Sequence, residues 1–167
     1  MLRVILADDE QYERNYLEKV IKESYPGLLE IVYKAVDGMD LMEKLEECKP
    51  QIVLLDIKMT DEEGYQKYIG CSLKEVLFFL DELQSRKIDT WVRQVIVPGL
   101  NDTRENIERL NRLIAGHTCV KKVELLPFRK LCKEKYERME LPFPFDRYPE
   151  GTAKQVSELQ KRVVLPR

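Results

Sequence analysis

The four cysteines, at 48, 71, 119 and 132, stand too far apart to form a C-x-x-C or a C-x-x-x-C-x-x-C. Thiolate ligation of zinc or of an iron–sulfur cluster therefore lacks its usual spacing. Four reduced thiols are expected, several packed as small apolar groups. No apolar run approaches the ~20 residues of a membrane span. The opening Leu2-Arg3-Val4-Ile5-Leu6-Ala7 runs straight into Asp8 and Asp9 and is too short for a secretory signal. A cytoplasmic protein away from the membrane is the expectation. Neither charge sign dominates: 28 Lys and Arg stand against 30 Asp and Glu, for a net charge of −2. Nucleic-acid binding needs a basic patch, and none stands out. The only histidine, His117, lies in a Gly-His-Thr stretch and reads as a surface loop residue.

What is present is enough for a core. A chain of 167 residues with 44% hydrophobic content suits one compact domain over 1–167. The 35% of charged residues reads as solvated helix faces. Arg3–Ala7, Glu30–Ala35, Gln51–Ile57, Thr90–Val97 and Lys122–Leu126 are short apolar runs, the pattern of buried parallel strands. Between them lie helical spacings: Glu10 to Tyr25, stopped by Pro26-Gly27; a helix through Leu41, Met42 and Leu45 after an Asp37-Gly38 turn; and Leu73–Arg86. Thr60 to Gly70 reads as a polar loop. Asp102, with Glu105 three residues on, predicts a capping box for a helix ending near Ala115 and Gly116. Phe128 to Gly151 holds three prolines and reads as a surface excursion, and Thr152 caps a last helix to about Val163. Tyr12 and Tyr16 are expected to pack their helix, and Trp91 to join the core. Repeated β-α alternation predicts a parallel sheet with helices on both faces.

In such a sheet the ligand site lies beyond the carboxyl ends of the strands. Asp8 and Asp9 follow strand one and Asp56 ends strand three. Three converging carboxylates repel unless a divalent cation compensates, and magnesium prefers such oxygen ligands. The cation would help Asp56 accept a phosphoryl group. On this reading Asp56→Asn abolishes magnesium-linked stabilisation and raises apo stability by relieving repulsion.

Val4-Ile5-Leu6-Ala7-Asp8-Asp9-Glu10, Ala35-Val36-Asp37-Gly38 and Pro50-Gln51-Ile52-Val53-Leu54-Leu55-Asp56-Ile57-Lys58-Met59 together resemble the front half of a response-regulator receiver domain. The resemblance implies Asp56 as phosphoacceptor. It also implies Asp8, Asp9, Asp56 and the main-chain carbonyl of Lys58 as magnesium ligands, and a histidine kinase as partner. The pattern then departs. Thr60 replaces the proline after Asp-x-x-Met, Val97-Pro98 replaces the strand-four hydroxyl, and Leu126 replaces the strand-five lysine. Phosphorylation would therefore be read out poorly.

From Gln51 onward a second resemblance takes over. Ile52 to Lys58, Tyr68-Ile69-Gly70-Cys71-Ser72, Trp91 to Asp102, and Val123-Glu124-Leu125-Leu126-Pro127-Phe128 with Lys135-Tyr136 resemble the C-terminal half of pyruvate formate-lyase activating enzymes of the radical-SAM family. This resemblance implies a fragment of a partial barrel with Asp56, Lys58 and Arg93 as S-adenosylmethionine-binding residues. Arg129 and Cys132 depart from the family's usual His and Gly. The cluster motif is not in this stretch, so no iron–sulfur cluster and no radical chemistry are expected.

The sequence thus predicts a hybrid, natural or engineered: a receiver-like half over 1–59 and an activase-like half over 60–167, joined within 52–59. The expected fold is α/β, a flavodoxin-like three-layer α/β/α sandwich with strand order 2-1-3-4-5. The leading function is a receiver-like, magnesium-binding domain without enzymatic turnover, S-adenosylmethionine not being its expected cofactor. The alternatives are an inactive fragment keeping a weak S-adenosylmethionine site, or a fold with no activity. Barrel-derived strands four and five leave an edge open to a second copy. Residues 128–151, with Pro142-Phe143-Pro144-Phe145, are expected to have low order or to form a dimer contact.

Overall fold

Five runs of Val, Ile and Leu form five parallel strands of one sheet in the computed structural model, in the order β2-β1-β3-β4-β5. They are β1 (Leu2–Ala7), β2 (Leu29–Ala35), β3 (Ile52–Asp56), β4 (Asp89–Ile96) and β5 (Val120–Pro127). The helices are α1 (Gln11–Ser24), α2 (Gly38–Cys48), α3 (Glu62–Gly64), α4 (Leu73–Ser85), α5 (Arg104–Ile114), α6 (Lys133–Arg138) and α7 (Ala153–Gln160). The structure describes residues 1–7, 11–36, 38–131, 133–138 and 140–167, without the side chains of 12, 13 and 135. The expectations for Glu10, Asp37, Cys132 and the Tyr12 side chain lie outside the described residues.

The sheet has the order expected and the α/β arrangement of a flavodoxin-like fold, but its two faces are covered unequally. Alternate side chains of each strand go to opposite faces. Val53 and Leu55 of β3, Val92 and Ile96 of β4, and Val123 and Leu125 of β5 form the larger core. They pack with Leu41 and Leu45 of α2, Leu80 and Leu83 of α4, Ile107, Leu110 and Ile114 of α5, and Val156 of α7. The other face holds a smaller cluster. Val4 and Leu6 of β1 and Ile52 and Leu54 of β3 meet Leu17 and Ile21 of α1, with Trp91 at its margin. Each buried Leu or Ile contributes about 1.5–3 kcal/mol relative to exposure, so the four-helix face carries most of the stabilisation.

Three local expectations are corrected. Residues 62–69 are helical, not a loop: Asp61 accepts the Gly64 N–H at 2.7 Å, and the chain continues as a π-helical turn over Tyr65–Ile69. Gly70 ends it at φ 84°, its N–H donating to the Tyr65 carbonyl. The cap of α5 is Thr103, which accepts the Asn106 N–H at 3.1 Å, while Asp102 accepts the Gly99 N–H in the preceding turn. The last helix stops at Gln160, with Thr152 and Gln155 forming its capping box.

The described residues of 128–151 are not loose; they fold back on the sheet. Phe128 and Tyr148 are buried beside Val97, with Phe143 and Phe145 packed against them. Tyr136 and Phe143 lie 5.2 Å apart between centroids, and Tyr68 and Phe145 5.7 Å. Asp146 pairs with Lys133 at 2.8 Å and Lys130 at 3.6 Å. The Gly151 N–H donates to the Phe128 carbonyl at 2.9 Å. A Cβ at Gly151 would lie 3.0 Å from the Phe128 nitrogen, tight enough to push the strand end and this return apart by a few tenths of an ångström. The β5 edge is not bare either, because the Gln160 side chain bonds to it from α7.

Candidate functional site

The C-terminal end of β3 and the middle of β4 bring Asp56 and Arg93 together. They are register partners on adjacent parallel strands. Arg93 donates from Nε to Asp56 Oδ1 at 2.8 Å and from Nη2 to Oδ2 at 3.1 Å. This is the two-pronged geometry in which a guanidinium matches a carboxylate best. The pair is largely withdrawn from water, with side-chain exposures of 9% for Arg93 and 19% for Asp56. Both carboxylate oxygens of the expected phosphoacceptor are thus already engaged by a cation from the neighbouring strand.

The loop that carries Lys58 is anchored on both sides. The Lys58 N–H donates to the Tyr65 hydroxyl at 3.0 Å. Tyr65 is 1% exposed, and burial pushes its phenol up to about 12. Two residues on, the buried Thr60 hydroxyl donates to Asn106 Oδ1 at 2.8 Å, and Asn106 Nδ2 donates to Gln94 Oε1 at 3.0 Å. Arg109 Nε also donates to Thr60 at 3.1 Å. Thr60, a departure from the receiver pattern, ties the loop to α5 and β4. At the far end of β4, Asn101 accepts the Val97 N–H and donates to the Val95 carbonyl, closing the turn.

A cavity of about 560 Å³ opens over the Asp56–Arg93 pair. Tyr16, Leu17 and Val20 of α1 form one wall. Val95 of β4, Val97 just after it, and Glu124 and Leu126 of β5 extend the floor, and Phe128, Phe143 and Phe145 make the opposite wall. Lys58, Arg129 and Tyr68 also border it. Volume and mixed lining are those of a small-molecule site. Tyr16, expected to pack its helix, is instead 52% exposed and faces the cavity. Leu126, which stands where receivers carry lysine, contributes apolar wall. Near the rim, Tyr68 and Tyr148 hydroxyls lie 3.1 Å apart, and Arg147 donates to both. The Tyr148 hydrogen bond, with Lys67 and Arg147 nearby, holds the Tyr68 phenol below its usual range.

Asp8 and Asp9 lie outside the described residues, so the acid trio is not described as a unit. Among the described residues no group of three or more His, Cys, Asp or Glu converges in a way that would hold a metal ion. Magnesium at Asp56 fits this geometry poorly, because it would have to displace the Arg93 fork. The structure does bring Asp56, Arg93 and Lys58 to one cavity, the set implied by the activating-enzyme resemblance. His117 lies in its loop but not as a surface side chain: it is 13% exposed, its Nε2 2.8 Å from Asp81. Trp91 is half-buried with the Lys122 ammonium 4.8 Å from its ring centre. The Asp56–Arg93 pairing itself was missed in the sequence; the signal was an acid ending one strand and an arginine inside its neighbour.

Comparison with known proteins gives two likenesses. The pyruvate formate-lyase-activating enzyme of Clostridium pasteurianum is 40% identical over 92 residues, 55% of this chain and 39% of the enzyme. A domain of a pyruvate-formate lyase-activating enzyme from Bacteroides vulgatus superposes with a TM-score of 0.58 at 14% identity, covering 91% of this chain and 86% of that one. The isolated receiver domain of RcsB from Salmonella enterica serovar Typhimurium, solved with the phosphomimetic BeF3−, superposes with a TM-score of 0.54 at 15% identity, covering 95% and 97%. Both resemblances read from the sequence are thereby found again. At such identities the structural likenesses are likenesses of fold. This chain spans about two fifths of the length of the curated relative. No family model matches it.

Proposed function

We propose that this chain is a non-catalytic ligand-binding domain whose site is the cavity over Asp56 and Arg93. The observation that carries this reading is the Asp56–Arg93 fork at the floor of a 560 Å³ cavity, bordered by Lys58 and aromatic rings. The sequence likeness to activating enzymes points to S-adenosylmethionine as the ligand to try first. The residues suit it chemically: a nucleoside needs apolar and aromatic walls, and its amino-acid end needs cations and a carboxylate. Asp56, Arg93 and Lys58 would hold that polar end. Bound there, the molecule supplies a sulfonium, whose reductive cleavage needs an electron donor that the four cysteines of this stretch are not spaced to ligate. The activase-like half, 60–167, would provide most of the floor and the receiver-like half, 1–59, the α1 wall, with the junction inside 52–59.

Calorimetric titration with S-adenosylmethionine and S-adenosylhomocysteine tests the reading. Saturable binding that Arg93→Ala weakens at least about tenfold is expected. No heat and no thermal shift with either compound would sink it.

A second reading keeps the receiver chemistry: magnesium held by Asp8, Asp9, Asp56 and the Lys58 carbonyl, and a histidine kinase phosphorylating Asp56. Its support is the strand order, which ends β3 on Asp56 as in a receiver. Against it stands Arg93, which a magnesium ion would have to displace. On this reading Arg93→Gln strengthens magnesium binding, and a beryllofluoride titration followed by amide NMR shifts Asp56. An unchanged spectrum in both wild type and Arg93→Gln would remove it.

A further inference from the structure

Gln160, the last residue of α7, sets its side-chain amide against the edge of β5 like one peptide unit of a further strand. Its Oε1 accepts the Leu125 N–H at 2.9 Å, and its Nε2 donates to the Val123 carbonyl at 2.9 Å. A neighbouring strand would offer the same donor and acceptor. The chain is clipped again just beyond. Asn111 of α5 donates to the Arg162 carbonyl and accepts the Val164 N–H, both at 3.0 Å. Two amide side chains therefore hold the segment after α7, and one of them occupies a strand edge.

That edge carries a charge pattern with its own symmetry. Among the described residues no strand pairs with β5 on its far side. The residues whose backbone groups turn outward are odd-numbered, as the Val123 and Leu125 bonds to Gln160 show. Lys122 and Glu124 lie between them and point to the thinly covered face, 44% and 43% exposed and paired with each other at 3.1 Å, so a facing copy would share rather than create this pairing. An identical strand laid antiparallel about a two-fold axis at Val123 would place Lys122 opposite Glu124 of the copy, and Glu124 opposite Lys122 of the copy. Opposite charges directly across a strand pair stabilise it, and like charges destabilise it. The two adjacent registers that keep outward groups facing each other set Lys122 against Lys122, or Glu124 against Glu124. One register is therefore selected over both neighbours, by a self-complementary contact of the kind a two-fold dimer requires.

We propose that the β5 edge is a homotypic docking site for a second copy of this chain, antiparallel and centred on Val123, and that the Gln160 amide holds it closed. The amide sits at the middle of the edge, on Val123 and Leu125, and withdrawing the last turn of α7 would free both. Exposed edges of this kind are otherwise blunted permanently; here the plug is a single flexible side chain.

Sedimentation velocity on the full chain across a concentration series tests this. Gln160→Ala is expected to dimerise about tenfold or more tightly than wild type, because two hydrogen bonds no longer compete for the edge. Adding Lys122→Glu puts Glu against Glu twice and should return that variant to monomer; adding Glu124→Lys as well should restore the dimer. If Gln160→Ala associates no more tightly than wild type, the closure is wrong. If its dimer ignores Lys122→Glu, the register is wrong. Gln160→Glu, which removes the donor and keeps a good helix former, replaces Gln160→Ala should the latter not fold. Should neither fold, amide exchange at Leu125 in wild type is read instead. Slowing with protein concentration is expected, and concentration-independent exchange overturns the proposal.

Discussion

Arg93 and Asp56 face each other across adjacent parallel strands and are joined by two hydrogen bonds, 2.8 and 3.1 Å long. The carboxylate that the receiver pattern offers as a nucleophile is, in this chain, half of an ion pair. A buried pair contributes little net stability when intact, but breaking it leaves one charge stranded.

Asp56→Asn is therefore expected to destabilise the protein by about 1–3 kcal/mol, because the Arg93 guanidinium loses its counter-charge. Three converging acids with no cation nearby would give the opposite sign. Arg93→Ala should cost a similar amount, and the double variant less than the two costs summed. Urea denaturation at neutral pH measures all three; a stabilised Asp56→Asn would contradict the pairing.

Tyr65→Phe tests the anchor of the Lys58 loop. Removing the hydroxyl leaves the Lys58 N–H without its acceptor, for a loss of about 1–3 kcal/mol at neutral pH. Wild type also has an alkaline signature. Burial raises the phenol from 10.0 to about 12, so the stability that depends on the neutral phenol is complete below pH 10 and is lost as pH rises towards 12. Tyr65→Phe should lack that loss. Urea midpoints taken through the alkaline range would show parallel curves if Tyr65 were not responsible.

Glu18 sets an acid signature. Hydrogen bonds from Lys22 and Lys34 hold its carboxyl at about 2, below the ordinary 4.5. A lowered carboxyl contributes stability that is present above 4.5 and lost as pH falls through about 2. Glu18→Gln is expected to flatten that part of the stability curve, and thermal midpoints across the acid range would reveal it. Salt should shrink the wild-type effect, since the cluster is partly exposed.

Gly151→Ala probes the return of the 128–151 segment. The added methyl would meet the Phe128 nitrogen at 3.0 Å and the Ile96 carbonyl oxygen at 3.3 Å, both backbone atoms. A cost of about 1–3 kcal/mol is expected, with a weakened near-ultraviolet dichroism signal as the aromatic wall shifts. An unchanged aromatic spectrum would mean the wall does not depend on this approach.

Much of the frame was legible because it rests on local pattern. Each strand end falls within two residues of where apolar periodicity set it, and the order 2-1-3-4-5 follows from short right-handed crossovers. What was missed depends on contacts between distant residues. The helical stretch at 62–69 is held by the cap at Asp61 and by the burial of Tyr65, a residue that reads as an ordinary polar-loop tyrosine until its hydroxyl meets Lys58. The prolines of 142–145 announced a surface excursion, yet they carry two phenylalanines back against Phe128. Asp56 and Arg93 were each singled out, but for different ligands. Only the register of β3 on β4 shows that they bind each other.

The uneven dressing of the sheet separates two kinds of change. Tyr16, Leu17 and Val20 of α1 line the cavity and adjoin the smaller cluster, while α2, α4, α5 and α7 pack elsewhere. Distant sites act nearly independently. Sequence drift on α1 can therefore remodel what the cavity accepts while the four-helix core keeps the chain folded, which makes α1 the adaptable part of the molecule and the opposite face its chassis.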